Sequence, residues 1–204
     1  MTINELEKEL KQEKLQSIYL LYGEEIFLLE NTLKKIKKQF GEKVLGINYI
    51  VLGEENINSI INNMETPAFG YEKKLIIARD TGLLKKEGKR KNSKMAELKE
   101  KLKDYIEQNI DFISESIVLV IIEESVEKDA LYKTIDKYGI ICNFEKQKPI
   151  QIIKRLKAIC MAYKVQVSED TLKYLLECSG TNMQSLINEI RKLIEYTRRK
   201  WRNY

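Results

Sequence analysis

Short apolar runs alternate with amphipathic segments through the first 145 residues of the chain. Five runs are rich in Ile, Leu and Val and are bounded by glycine or polar residues, which predicts β-strands. They are residues 17–22, 48–52, 74–78, 116–122 and 140–144. The run 116–122 is apolar on both faces, as expected for the central strand of a parallel sheet.

Between these runs, apolar residues recur at spacings of three and four, which predicts helices. The predicted helices are residues 25–40, 57–64, 95–106 and 129–138. Strands that alternate with helices favour a parallel sheet covered on both faces. We therefore predict an α/β fold with a five-stranded parallel sheet covered by helices.

The alternation stops after Phe144, and only helical periodicity follows, over residues 149–163, 168–178 and 182–197. Pro149 suits a first helical position, Ser168 suits an N-cap and Gly180 suits a helix end. We predict two domains: an α/β domain over residues 1–145 and a small three-helix domain over residues 146–204.

Composition narrows the possible chemistry. The 204 residues include no histidine, which excludes Ser-His-Asp and Cys-His enzymes and removes a common metal ligand. The three widely spaced cysteines, Cys142, Cys160 and Cys178, are expected to be buried free thiols rather than disulfides or metal ligands. No metal site is predicted.

The chain carries neither of the apolar segments that direct a protein to a membrane. The first fourteen residues are polar and lack the apolar core of a secretory signal. No apolar run approaches the roughly 20 residues that span a bilayer. We expect a cytoplasmic protein that does not engage a membrane.

Residues 20–33 form a strand, a glycine loop and a helix, the arrangement in which many α/β proteins bind phosphate. Phosphate binding there requires inward-pointing backbone N–H groups, a lysine and a hydroxyl for Mg²⁺. The loop has one glycine, no lysine and no hydroxyl, and Glu24 and Glu25 stand at the helix start. Two carboxylates would repel a phosphate, so we expect no nucleotide cofactor.

A second acidic pair, Glu123 and Glu124, follows the strongest predicted strand. Carboxylates at a strand end can hold Mg²⁺ or activate water. Without a phosphate loop they have no nucleotide to act on, so a charged strand end is the favoured interpretation. No catalytic residue is predicted, and the protein is expected to work by binding.

Four segments, taken in order, resemble the delta subunit of the bacterial DNA polymerase III clamp loader. They are LYGEEIFLLE, METPAFGYEKKLIIARD, EKDALYKTIDKYGIICNFEKQKP and LLECSGTNMQSLINEIRKLIEY. The resemblance implies a degenerate AAA+-like domain without a phosphate loop, followed by a helical lid domain. The family's third, collar domain is expected to be absent from this chain.

The resemblance also implies a role in DNA replication, in which the subunit binds the sliding clamp and opens it for loading on primed DNA. The implied partners are the sliding clamp (the beta subunit), the other clamp-loader subunits, and DNA through the assembled complex. The family is part of the polymerase holoenzyme, a nucleotidyltransferase, but this subunit is expected to be non-catalytic itself.

The clamp-binding residues follow from the same resemblance, because family members insert apolar residues that precede the third strand into a clamp pocket. By position these are Thr66, Pro67, Ala68 and Phe69, with Phe69 as the anchor. Family members usually have a larger apolar residue than Ala68, so Phe69, together with Met64 or Tyr71, is expected to contribute more. Spacing alone also allows Phe69 to pack in the domain's own core.

Two other functions stay open on the sequence. One is an active AAA+ ATPase of the same fold class, which requires saturable Mg-ATP binding. The other is a stand-alone basic module that binds single-stranded DNA through Lys85–Lys94 or the C-terminal RRKWR. The net charge of +5 is compatible with nucleic acid nearby but does not establish it.

Overall fold

The five predicted strands form one parallel sheet in the order β2-β3-β4-β1-β5. In chain order they are β1 (Ile18–Tyr22), β2 (Tyr49–Leu52), β3 (Lys74–Arg79), β4 (Ile117–Glu123) and β5 (Ile140–Asn143). All seven residues of β4 are buried, and β4 lies in the centre. The predicted α/β class and the central position of this strand are confirmed.

The computed structural model describes residues 1–85 and 93–202, and it divides into two compact units, Met1–Glu145 and Lys146–Tyr204. The sheet belongs to the first unit. Its register pairs Lys74 with Ile117 across β3 and β4, and Ile18 with Leu119 across β4 and β1. Because the strands are parallel, they all begin at one edge of the sheet, here called the amino edge, and end at the other, the carboxyl edge.

Helices cover the sheet in the first unit. They are α1 (Ile3–Lys11), α2 (Ile26–Phe40), α3 (Ile60–Glu65), α4 (Ser93–Gln108), α5 (Ile110–Ser116) and α6 (Ala130–Tyr138), with a 3₁₀ turn at Ile57–Ser59 before α3. The core on one face of the sheet joins Leu20, Ile76 and Leu119 to residues of the covering helices, such as Ile60 and Leu102. Among the described helices, none is long and apolar enough to cross a bilayer.

Two of these helices were not predicted. Helix α1 begins at a capping box, in which Thr2 and Glu5 exchange hydrogen bonds between side chain and backbone. It buries Ile3, Leu6 and Leu10, a helical spacing that is readable in the sequence. Helix α5 follows α4 after Asn109 alone, and no glycine or proline marks the boundary.

The second unit consists, in its described residues, of α7 (Pro149–Ala162), α8 (Glu169–Ser179) and α9 (Met183–Arg202). Pro149 opens α7, the Ser168 hydroxyl accepts a hydrogen bond from the Thr171 N–H at 3.1 Å, and Gly180 ends α8 with a φ of +71°. The predicted helix boundaries at these three residues are confirmed.

All three cysteines are free thiols. Cys142 lies in β5 and Cys160 in α7, and both are buried, as expected. Burial raises the pKa of the Cys142 thiol to about 11. The expectation is wrong for Cys178, which is exposed because α8 buries its Leu172 and Leu176 face instead.

Candidate partner-binding site

The loop that connects α3 to β3, residues 66–73, presents Phe69 to solvent. The Phe69 side chain is 74% exposed, so it is not a core residue of the first unit. Thr66 and Pro67 are also exposed, and Ala68 and Tyr71 are half-buried. An aromatic ring this exposed loses a large apolar area from water when a partner covers it.

The backbone holds Phe69 in an uncommon conformation. The Tyr71 N–H donates to the Ala68 carbonyl at 3.3 Å, which closes a turn whose central residues are Phe69 and Gly70. Their φ angles are +34° and +90°, and two positive angles are the signature of a type I′ turn. For a phenylalanine the left-handed region costs about 1–2 kcal/mol. Such strain persists only where the surrounding structure holds it, and it concentrates at functional positions.

Met64, the fifth residue of the expected clamp-binding group, does not join this surface. It is fully buried, at 0% exposure, in the core beneath α3. The expectation that Met64 contributes to a partner contact is therefore not met in this structure, because helix α3 turns that side chain toward the sheet. Tyr71, at the other end of the turn, is half-buried.

The residue that anchors the loop is Lys74, which sequence reasoning did not single out. Lys74 is only 3% exposed, and its Nζ donates to the Asn63 carbonyl at 2.9 Å, the Thr66 carbonyl at 2.6 Å and Thr66 Oγ1 at 2.7 Å. Burial lowers the pKa of this ammonium group. One signal was available: a lysine that opens an apolar strand needs polar partners when the strand is buried.

More exposed apolar side chains lie at the same edge of the sheet. Leu45 and Ile47 precede β2 and are 71% and 39% exposed; Phe112, in α5 before β4, is 42% exposed. Hydrogen bonds link these segments to β3 and its loop: the Leu75 N–H donates to the Asn48 carbonyl at 2.8 Å, and Lys73 Nζ donates to the Ser114 carbonyl at 3.0 Å. Since β2 and β4 are the neighbours of β3, exposed apolar side chains lie in the segments that enter the strands on either side of β3.

The carboxyl edge, where α/β proteins usually bind their ligands, is occupied by the chain itself at β1. The Glu25 N–H at the start of α2 donates to the Phe144 carbonyl at 2.8 Å. A Cβ on Gly23 would lie 2.5 Å from that same carbonyl oxygen. The peptide after β5 therefore packs directly against the loop after β1 (residues 23–25, here called the β1 loop), in which a phosphate would have to sit.

The acidic pair at the end of β4 is divided between two environments. Glu123 is 5% exposed and accepts hydrogen bonds from Thr81 Oγ1 at 2.7 Å and the Thr81 N–H at 3.2 Å, whereas Glu124 is exposed. Burial raises the pKa of Glu123, and the Thr81 hydrogen bonds oppose that rise. Glu123 therefore serves to connect β4 to the segment after β3.

Glu54 and Asp80 line the same surface depression as Glu123 and Glu124, together with Lys85. Within the described part of the chain, no group of three or more His, Cys, Asp or Glu residues is arranged to hold a metal ion. The depression is acidic, and its charge disfavours a phosphate-bearing ligand.

Residues 86–92 of the basic stretch, and the side chains of residues 198–202 near the end of α9, lie outside the described residues. The DNA contacts considered for Lys85–Lys94 and for the C-terminal RRKWR stay predictions.

Comparison with known proteins gives one consistent result. A family model described as DNA polymerase III, delta subunit, matches residues 19–145, more than half of the chain. A probable DNA polymerase III subunit delta from Aquifex aeolicus is 28% identical over 200 residues, which cover 91% of this chain and 51% of that protein. The DNA polymerase III subunit delta of Bacillus subtilis is 21% identical over 192 residues, covering 93% of this chain and 54% of that protein.

The fold agrees with a solved structure, the DNA clamp loader delta protein of Bacillus subtilis. The TM-score is 0.73 at 21% identity, and the match covers 96% of this chain and 57% of that one. The chain spans about half the length of the relatives it matches.

Proposed function

The chain belongs to the DNA polymerase III delta subunit family, and on that premise we propose that it binds the sliding clamp through the α3–β3 loop and opens the ring for loading on DNA. One observation carries the proposal for the site: Phe69 is 74% exposed and held at a positive φ. The other clamp-loader subunits, and DNA through the assembled complex, are the further partners that the proposal includes.

The energetics of one anchor residue are sufficient for such a contact. Burial of a phenylalanine side chain contributes about 1.5–3 kcal/mol, and a single aromatic residue seated in a pocket can dominate an interface. Thr66 and Pro67 form the exposed rim beside it, and Ala68 adds a small apolar contact. The turn sets the direction of the ring before binding, which reduces the ordering cost of association.

Ring opening follows from differential affinity and requires no chemistry on this chain. A clamp that fluctuates between closed and open interfaces is driven toward the open form by a ligand that binds that form more tightly. The delta subunit acts in this proposal as that ligand. Its α3–β3 loop engages the clamp surface, and the free energy of opening is the difference between its affinities for the two forms.

A titration of the purified chain against the clamp ring of the same organism tests the contact. We expect saturable binding by surface plasmon resonance, and we expect Phe69→Ala to weaken it at least tenfold, or about 1.4 kcal/mol. Tyr174→Ala is the matched control, because Tyr174 is an aromatic residue of the second unit with 67% exposure. It should leave the affinity within twofold.

A second measurement compares the affinity of the chain for the intact ring with its affinity for a clamp variant whose subunit interface cannot close. Tighter binding to this variant than to the intact ring is expected if binding drives opening. Equal affinity of wild type and Phe69→Ala would reject the α3–β3 loop as the contact. Absence of any clamp binding by the wild-type chain would reject the function itself.

A further inference from the structure

The ammonium group of Lys74 is buried among uncharged acceptors. Lys74 is the first residue of β3, and its Nζ donates to three oxygens: the Asn63 carbonyl at 2.9 Å, the Thr66 carbonyl at 2.6 Å and the Thr66 hydroxyl at 2.7 Å. An ammonium group has three N–H donors, so these three contacts use its full capacity. The side chain is 3% exposed.

Lys74 takes part in none of the ion pairs observed among the described residues, so its three close partners are uncharged. Two of its acceptors are backbone carbonyls at the C-terminal end of α3, which carry partial negative charge. A buried charge without a counterion is destabilising relative to an apolar side chain that fills the same space. Core packing alone does not explain a lysine at this position.

The contacts of Lys74 do close the α3–β3 loop. Thr66 is the C-cap of α3 and the first residue of the loop, and Lys74 follows the last residue of the loop. The side chain therefore joins the two ends of the segment that contains Phe69. A closed segment has fewer conformations than an open one, and the positive φ of Phe69 requires such restraint.

We propose that Lys74 is a positioning residue for clamp binding: its buried ammonium closes the α3–β3 loop and holds Phe69 in the conformation that enters the clamp. This inference rests on the proposed function. Lys74 touches no part of the clamp itself. It acts through Phe69, because a loop that is already ordered loses less conformational entropy on binding.

Lys74→Met tests the proposal, because methionine keeps the aliphatic length and removes the three donors. We expect about tenfold weaker clamp binding, with the first unit still folded by circular dichroism. The control is Lys99→Met, since Lys99 is a half-buried lysine of α4, outside the α3–β3 loop, whose Nζ pairs with Asp129 at 3.3 Å. It should change the affinity by less than twofold.

A double-mutant cycle separates positioning from general destabilisation. If Lys74 acts through Phe69, then Lys74→Met should weaken binding by less than twofold when Phe69→Ala is already present. An equal loss in both backgrounds would overturn the proposal, and so would unchanged affinity in the folded single variant. Should Lys74→Met fail to fold, Thr66→Val takes its place in the hydrogen-exchange measurement, which does not involve the clamp, because it removes one of the three acceptors and keeps both carbonyls.

Hydrogen exchange keeps the test independent of the clamp. In free protein, Lys74→Met should accelerate amide exchange across residues 66–71 and leave β4 protected. Lys99→Met should leave exchange across residues 66–71 unchanged. Unchanged exchange in Lys74→Met would reject the positioning role. If the wild-type chain fails to bind the clamp but this local acceleration occurs, the clamp assignment fails while the role of Lys74 in ordering the loop stands.

Discussion

The two edges of the sheet differ in what they leave exposed. At the amino edge, Leu45, Phe69 and Phe112 expose 71%, 74% and 42% of their surface in the three segments that enter β2, β3 and β4. At the carboxyl edge, Gly23 packs against the peptide of Phe144, and Glu123 is buried against Thr81. The amino edge exposes apolar side chains in three neighbouring segments, whereas at the carboxyl edge the loop after β1 and the buried Glu123 make their contacts within the chain.

This difference shows why fold alone does not locate the site. In open α/β sheets ligands bind at the carboxyl ends of the strands, and at β1 that position is filled by the chain's own backbone. The exposed, strained residue lies at the opposite edge. A functional site is identified by the chemistry of its residues rather than by the position at which ligands usually bind to that fold.

The largest expected effect comes from disturbing the carboxyl edge. Gly23→Ala should lower the free energy of unfolding by about 2–4 kcal/mol, because the new Cβ would lie 2.5 Å from the Phe144 carbonyl oxygen and the φ is +125°. Urea unfolding followed by circular dichroism measures the change. The folded fraction of Gly23→Ala should bind the clamp with the same affinity as the wild type.

Gly82→Ala is the control at the same edge. Its φ is +74°, but nothing lies within 4 Å of the added Cβ, so a cost of about 1 kcal/mol is expected from backbone strain. If the free energy of unfolding falls equally in both glycine variants, backbone strain alone explains the requirement for glycine at position 23. The close packing against Phe144 would then have no part in it.

A smaller effect is expected at the amino edge outside the α3–β3 loop. Leu45→Ser should weaken clamp binding about threefold, or about 0.7 kcal/mol, since Leu45 precedes β2, the strand beside β3, and would be only partly covered by a partner. Competition binding against the wild-type chain resolves a change of this size. The control is Ile26→Ser, because Ile26 is 51% exposed but lies at the carboxyl edge, at the start of α2.

If Ile26→Ser weakens binding as much as Leu45→Ser, the interface is not confined to the amino edge. If neither substitution has an effect, the contact is restricted to the α3–β3 loop and the flanking apolar residues have no part in it.

We expect the chain not to bind nucleotide. Isothermal titration of the chain with Mg-ATP should give no saturable heat. The N–H of Glu25, the N-cap of α2, is already donated to the Phe144 carbonyl, and the β1 loop carries Glu24 and Glu25 instead of a lysine and a hydroxyl. Saturable binding in the micromolar range would favour the alternative of an active ATPase. It would also show that the carboxyl edge, like the amino edge, carries a binding site.

The sequence predicted the sheet closely because strand signals are local. The central run was expected at residues 116–122 and is found at Ile117–Glu123. Helix α5 was missed because its short apolar pattern merges with the flanking segments. Helix α1 was missed although Thr2, Glu5 and the spacing of Ile3, Leu6 and Leu10 encode it.

The candidate site was predicted in part. Phe69 was named from family resemblance, but spacing alone left open whether it packs inside or outside. Met64 was expected at the surface and lies in the core. The burial of Met64 depends on which face of α3 meets the sheet, and a helix of six residues carries too short a period to define that face. The exposure of Phe69 depends on the turn that follows α3.

By itself, the sequence determined the strand–helix alternation, the parallel sheet and the absence of a lysine and a hydroxyl from the β1 loop, because each is a property of neighbouring residues. Only the tertiary structure decided that Phe69 is exposed at a positive φ, that Phe144 fills the β1 loop, and that Lys74 closes the α3–β3 loop. The contacts of Phe144 and Lys74 join different elements, and the exposure of Phe69 depends on what the rest of the domain leaves uncovered. All three features exist only once the sheet and its helices have packed together.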